Sequence, residues 1–204
     1  MEYAAYEELP IHRTINPADL ILPRDLHERE KLHWSPGLDL LSGEEVHIPS
    51  NAVFHPYDTL GMTFPLFQSD TNGLASGNVG EEAILHAILE VMERDDMSVA
   101  GRTRCMGRRL ELDHPCPARD IRDKMESSGI EIHLWLLSGR TRIPTVAAAA
   151  DDTVIKDPEL LVIGSGTHPD PAIAALRALT EVAQSRASHL SGGRENPDRK
   201  SLVE

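Results

Sequence analysis

Thr71–Asp96 reads TNGLASGNVGEEAILHAILEVMERDD, a small glycine-rich run followed by a segment of helical period. Gly73 to Gly80 form the first part; Val79 to about Ser98 form the second and contain no proline. Asn78-Val79-Gly80-Glu81 has the residue types of a capping box, with Asn78 as the N-cap. On a wheel of about 100° per residue, Ile84, Leu85, Ala87, Ile88, Leu89, Val91 and Met92 cover more than half the circumference. Glu82, His86, Glu90 and Glu93 share the narrow arc that remains. A helix that apolar is expected to be buried on most sides. Aligned like charges repel by roughly a few tenths of a kcal/mol per pair, so a positive partner is expected for the three carboxylates, and Mg2+ is the natural candidate. The competing reading is a solvated acidic stripe, because Glu is a good helix former.

A second segment strengthens the first reading. Gly164-Ser165-Gly166-Thr167-His168 reads as another glycine-rich turn, and Asp170-Pro171 as an N-cap with proline at the first helical position. The helix expected from Ala172 to about His189 is apolar over most of its circumference through Ile173, Leu176, Leu179, Val182 and Ala183. Arg177, Glu181 and Gln184 line up as its polar stripe. Helix starts with exposed N–H groups bind anions, phosphates above all. Carboxylates, an arginine and two such starts suit a Mg2+–nucleotide, since Mg2+ is held by one or two carboxylates with phosphate oxygens and water.

TNGLASGN, then Glu82, Glu90 and Glu93-Arg94, and far downstream GTHPDPAIAALRALTEVAQSR resemble the YcaO family in order and spacing. The resemblance implies use of ATP and Mg2+ to activate a peptide-backbone amide oxygen by phosphorylation, after which a nucleophile displaces the phosphate. A Cys, Ser or Thr side chain then gives an azoline; an external sulfur source gives a thioamide. It places Asn78 on the nucleotide phosphates, Glu82, Glu90, Glu93 and Glu181 at metal-ligand positions, and Arg94, Arg177 and Gln184 on nucleotide or phosphate. It assigns no catalytic side chain. Ala75 stands where the family also uses a nucleotide-contacting Ser.

YcaO domains are longer than this chain. The resemblance implies an earlier Glu-x-x-Glu-Arg helix with further carboxylates, and strands with a Pro-rich tail beyond Gly193. Residues 1–204 therefore read as a partial domain, a fragment or a chain completed by a partner or a second copy. Such a chain is expected to turn over ATP poorly by itself. The stand-alone look favours thioamide formation with a TfuA-like partner over azoline formation; a truncated, non-catalytic nucleotide-binding or docking subunit is the competing class.

The remaining stretches bound the rest. A net charge of −13 argues against nonspecific nucleic-acid binding. No apolar run is long enough to span a membrane and the start has no signal-peptide pattern, so the reading is a cytoplasmic protein acting on a peptide or protein. Cys105 and Cys116 have neither metal nor redox spacing. The fold class expected is α+β (mixed α/β), a sheet with buried helices flanking an ATP/Mg2+ site.

Met1–Leu9 reads as the tail of a helix, the Pro-broken run to Pro23 as loop, and Asp25–Leu32 as a solvated turn or short helix. Leu38–Leu41 and Glu45–Pro49 read as two strands about a turn at Ser42-Gly43, in a W-x-x-G-x-D-L-x-S-G-x-x-V-x-x-P pattern that is also similar to YcaO proteins. Phe54, Tyr57, Phe64 and Phe67 are expected to pack the approach to the organising helix, and Arg102, Arg104, Arg108 and Arg109 to form a solvated face. Ala118–Ser127 reads as a short helix. Ile130–Leu137, Ile143–Ala150 and Leu160–Ile163 read as strands. His133 is expected to be a packed histidine; His168 ranks above it as a ligand but below the glutamates.

Overall fold

The computed structural model describes residues 1–191 apart from 21, 58–64, 68 and 138. Phe64 and the region from Gly193 onward lie outside the described residues. The chain divides into two compact units, Met1–Leu74 and Ala75–Glu204.

The first unit is built on an antiparallel sheet in the order β1 (Glu2–Ala5), β2 (Lys31–Leu38), β3 (Glu45–Pro49). Trp34 organises it: its ring is 1% exposed and its Nε1–H donates to the Ala4 carbonyl at 3.0 Å. That contact explains why Glu2–Ala5 is a strand rather than the helix tail expected from its composition. Pairing with β2 and burial of Ala4 and Ala5 override the helix propensity of a four-residue stretch. Likewise, Leu38 ends β2 and Asp39–Leu41 is turn, not strand. Asp39 Oδ1 accepts from the N–H groups of Leu41 (2.8 Å) and Ser42 (3.2 Å), which turns the backbone back on itself. The Pro-broken segment contains short 3-10 turns at Ile11–Arg13 and Pro17–Asp19. Asn51 is buried and holds the chain around residues 66 and 67 by accepting from Leu66 N at 2.7 Å. Phe67 therefore packs on this unit's own core with Leu66; Tyr57 donates to or accepts from His33 Nδ1 at 3.0 Å.

The second unit carries the stretch that decides the fold. Its elements are α1 (Gly80–Thr103), β4 (Arg108–Arg109), α2 (Pro117–Glu126), β5 (Ile130–Leu136), β6 (Thr145–Asp152), β7 (Val162–Thr167) and α3 (Pro171–Leu190). The strands form one antiparallel sheet in the order β4-β5-β6-β7. Alternation along the strands makes two faces. Ile132, Leu134, Val146, Ala148, Ala150 and Val162 turn to α2 and α3, where they meet Ala118, Ala174, Ala178, Leu179 and Val182. Thr145 and Ala147 turn to α1 on the other side, with Ala147 packed against Ala100 and Leu137. The result is a three-layer α+β unit whose sheet is alanine-rich at its centre, so the helices lie close to it. At the far end Arg186 of α3 and Asp152 of β6 form a buried ion pair, Nη2 to Oδ2 at 2.7 Å.

The expectation of a largely buried α1 is corrected. Only the stripe Leu89, Glu93, Asp96 and Ala100 is buried, while Ile84, Leu85, Ile88 and Val91 are 38–52% exposed. A helix meets a sheet along one stripe, and here the stripe pressed inward includes the acidic residues rather than the widest apolar arc. Among the described residues, no helix is long and apolar enough to cross a membrane.

Candidate functional site

The site begins at the edge strand. Gly164-Ser165-Gly166-Thr167 was expected to be a loop and is strand β7. Its glycines serve packing. A Cβ on Gly166 would sit 2.3 Å from the Ala174 carbonyl oxygen, and one on Gly164 would sit 2.5 Å from that of Ala178, so their absence lets α3 lie directly on the strand. The intervening residue, Ser165, points to the opposite face.

Ser165 joins two helices. Its hydroxyl donates to Glu93 Oε1 of α1 at 2.9 Å, and its backbone N–H donates to Glu181 Oε2 of α3 at 2.8 Å. The hydroxyl also lies 3.4 Å from Glu181 Oε2. Among the described residues β7 is the edge of the sheet, and no strand pairs with its outward N–H groups. Glu181 takes that of Ser165. Carboxylates from two segments 88 residues apart thus meet at one serine.

Their electrostatics are unbalanced. Burial pushes the Glu93 carboxyl above the usual carboxylate range; the Ser165 hydrogen bond opposes this, the negative charge of Glu181 adds to it, and Arg177 partly offsets it. A small dication between the two carboxylates would remove both the repulsion and the desolvation cost. Two carboxylates with an open side match the donor set of Mg2+, which completes its shell with phosphate oxygens and water.

Glu82, Asn78, Glu90 and Arg94 make their contacts with one another rather than with this pair. Among the described residues, no group of three or more His, Cys, Asp or Glu side chains forms a metal cluster. Glu82 lies in the first turn of α1, where its Oε2 accepts from both the backbone N–H (2.7 Å) and the Nδ2 (2.9 Å) of Asn78. The capping box is accordingly corrected: Val79 is the N-cap and makes no side-chain cap bond, and Glu82, not Glu81, reaches back to Asn78. One residue of slippage suffices, because Gly80 rather than Val79 begins the helix. These bonds hold Glu82 below the usual carboxylate range. Glu90 contacts Arg94 Nη2 at 3.4 Å, an i,i+4 pair. Arg177 is half-buried, one turn before Glu181 on α3, while Gln184 is exposed one turn beyond it. His86 Nδ1 donates to the Ser76 carbonyl at 3.0 Å and ties the glycine-rich run to α1.

The start of α3 is built as expected: Asp170 Oδ1 accepts from Ala172 N at 2.9 Å with Pro171 at the first helical position. His168 Nδ1 accepts from Asp170 N at 2.9 Å and so belongs to the turn. His133 is half-buried near Arg109 and Glu131, as expected of a packed histidine. Arg109 pairs with Glu111 at 3.2 Å. Ser165 and Thr167 were not anticipated as site residues. The signal was present, since a period-two reading through Thr167 puts Ser165 on the face opposite the glycines.

A family model described as YcaO cyclodehydratase, ATP- and Mg2+-binding, matches residues 1–204. The chain belongs to the YcaO family. Among its YcaO relatives, the Methanopyrus kandleri YcaO structure bound with AMPPCP and Mg2+ is 34% identical, superposes with a TM-score of 0.73, and matches 90% of this chain and 46% of that one. An uncharacterised protein of Methanothermobacter thermautotrophicus is 47% identical over 193 residues, 93% of this chain and 50% of the relative. A protein from the tfuA 3' region of Rhizobium leguminosarum bv. trifolii is 34% identical over 176 residues, 80% of this chain and 41% of the relative. The chain thus spans half or less of the length of these YcaO relatives.

Proposed function

We propose that this chain supplies part of a Mg2+–ATP site that activates a peptide-backbone amide oxygen by phosphorylation. The observation that carries the reading is the convergence of Glu93 and Glu181, from two different helices, on Ser165. Glu93 and Glu181 hold the cation, with Glu82 and Glu90 as further metal-ligand positions. Asn78, Arg94, Arg177 and Gln184 contact the nucleotide. Bound Mg2+–ATP supplies the phosphoryl group and neutralises the paired carboxylates. Arg177, beside Glu93, offsets negative charge at the same place. Binding of AMPPCP and Mg2+ by the Methanopyrus kandleri protein supports this assignment.

The product we favour is a thioamide, formed with a TfuA-like partner in the cytoplasm. The similarity to a protein of a tfuA 3' region supports that choice over an azoline. The substrate is a peptide or protein. The chain matches half or less of the length of its relatives, so the residues named here account for one part of the site.

Calorimetry with Mg2+ and a non-hydrolysable ATP analogue tests the site. Wild-type chain should bind and Glu93→Gln should lose binding. Absence of binding by wild type would remove the site and favour a docking subunit.

A further inference from the structure

Asp96 lies three residues beyond Glu93 on the buried stripe of α1 and is 3% exposed. Positions on a helix stripe that meets a sheet are ordinarily apolar, as Leu89 and Ala100 are here. A carboxylate in such a place is costly unless it is hydrogen-bonded. Asp96 Oδ2 accepts from Thr145 Oγ1 at 2.6 Å, and Thr145 Oγ1 is 2.7 Å from Thr167 Oγ1. Thr145 and Thr167 are directly paired across β6 and β7 and are 1% and 0% exposed. The loop after β5 also makes room for the carboxylate: a Cβ on Gly139 would sit 2.5 and 2.6 Å from its two oxygens.

Each hydroxyl has a single proton to donate. The Thr145 hydroxyl donates to Asp96, so the Thr167 hydroxyl donates to Thr145. The hydroxyl pair is polarised in one direction, toward α1. Strand β7 is thus tied to α1 twice, through the Ser165 hydroxyl to Glu93 and through the Thr167 hydroxyl chain to Asp96.

We propose that Asp96 is a positioning residue: through Thr145 and Thr167 it sets strand β7 against α1, and so keeps the Glu93 carboxylate turned to Ser165 and Glu181. The geometric part stands on the hydrogen-bond chain alone; its consequence for ligand binding rests on the reading of Glu93 and Glu181 as a metal pair.

The test uses the full chain and Thr145→Val, which deletes the hydroxyl at nearly constant shape, beside Thr145→Ser, which retains it. In ligand-free protein, amide hydrogen exchange at Thr167 should accelerate about tenfold in Thr145→Val, the effect of losing one hydrogen bond of ordinary worth. Exchange at Leu134 should hold, and Thr145→Ser should restore Thr167. Affinity for Mn2+ with a non-hydrolysable ATP analogue should fall about 10- to 100-fold in Thr145→Val, as for other groups that orient a metal ligand, and recover in Thr145→Ser. If Thr145→Val does not fold, Thr167→Val is read in the same way. Unchanged Thr167 exchange overturns the proposal, as does a loss of protection that Thr145→Ser fails to restore. If exchange responds as expected but wild type binds no Mn2+–nucleotide, the positioning role stands and the metal reading falls. If exchange responds but affinity in Thr145→Val equals wild type, the role in binding is overturned.

Discussion

Gly166→Ala probes the contact on which the site depends. The added Cβ would lie 2.3 Å from the Ala174 carbonyl oxygen, 2.6 Å from Arg177 Cβ and 2.8 Å from Ala178 N, two of them backbone atoms of α3 that no rotamer change can move. Restoring a normal separation of about 3.5 Å requires α3 to retreat by roughly 1 Å. Overpacking of this kind costs ~1–3 kcal/mol, while replacing a strand glycine recovers ~0.5–1 kcal/mol of backbone entropy. The net expectation is a destabilisation of about 0–2.5 kcal/mol, which lowers Tm by up to roughly 10 °C for a domain of this size. Gly101→Ala is the matched control: its Cβ meets nothing within 4 Å on the same unit's α1, so stability should rise by up to ~1 kcal/mol. Because Arg177 and Glu181 ride on α3, the same retreat should pull Glu181 off the Ser165 N–H and weaken Mg2+–nucleotide binding. Differential scanning fluorimetry and calorimetry report the two effects. A Gly166→Ala chain with wild-type Tm and wild-type nucleotide affinity would refute the view that close packing of α3 on β7 sets the Glu93–Glu181 geometry.

Three further outcomes are expected. Glu93 has a folded-state pKa above its unfolded value, so its contribution to stability is full below the unfolded pKa and is lost as pH rises through the folded one. Ligand-free Glu93→Gln should therefore match or exceed wild-type Tm at neutral pH, with the gap closing on acidification; thermal scans across pH read this directly. Asp152 is shifted the other way, held low by the Ile155 N–H and then by Arg186. Its stabilising effect is present above the unfolded carboxylate pKa of about 3.9 and is lost as pH falls through the folded value, so Asp152→Asn should lower Tm at pH 7 and converge with wild type in acid. Asn51→Ala strands the buried Leu66 N–H and should cost ~1–3 kcal/mol, with faster proteolysis around residues 65–67 as the local sign.

Much of the second unit was legible because its local rules agree with its packing. Asp170-Pro171 starts α3 by the same cap and proline that the sequence displays. Ile130–Leu136 alternates and is a strand with Ile132 and Leu134 buried. Where several arrangements satisfy the local rules, tertiary contacts chose among them. A glycine-rich run fits a loop as well as a strand under a close helix, and only the position of α3 makes Gly164–Thr167 the latter. Helix periodicity shows that Glu90, Glu93 and Asp96 lie near one line, yet it gives no information on which part of the helix surface meets the sheet.

The residue order by itself determined the α+β class, the two long helices and the family resemblance that offers Glu82, Glu90, Glu93 and Glu181 as candidate ligands, since periodicity, caps and motif spacing are properties of neighbours along the chain. Tertiary structure alone decided that α1 turns an acidic stripe inward, that Ser165 bridges the two helices, and that Asp96 reaches Thr167 through Thr145. These are contacts between residues 16 to 72 positions apart. They depend on how close α3 can approach β7 and on which free edge N–H groups then remain to be satisfied, and neither quantity exists until the layers are packed.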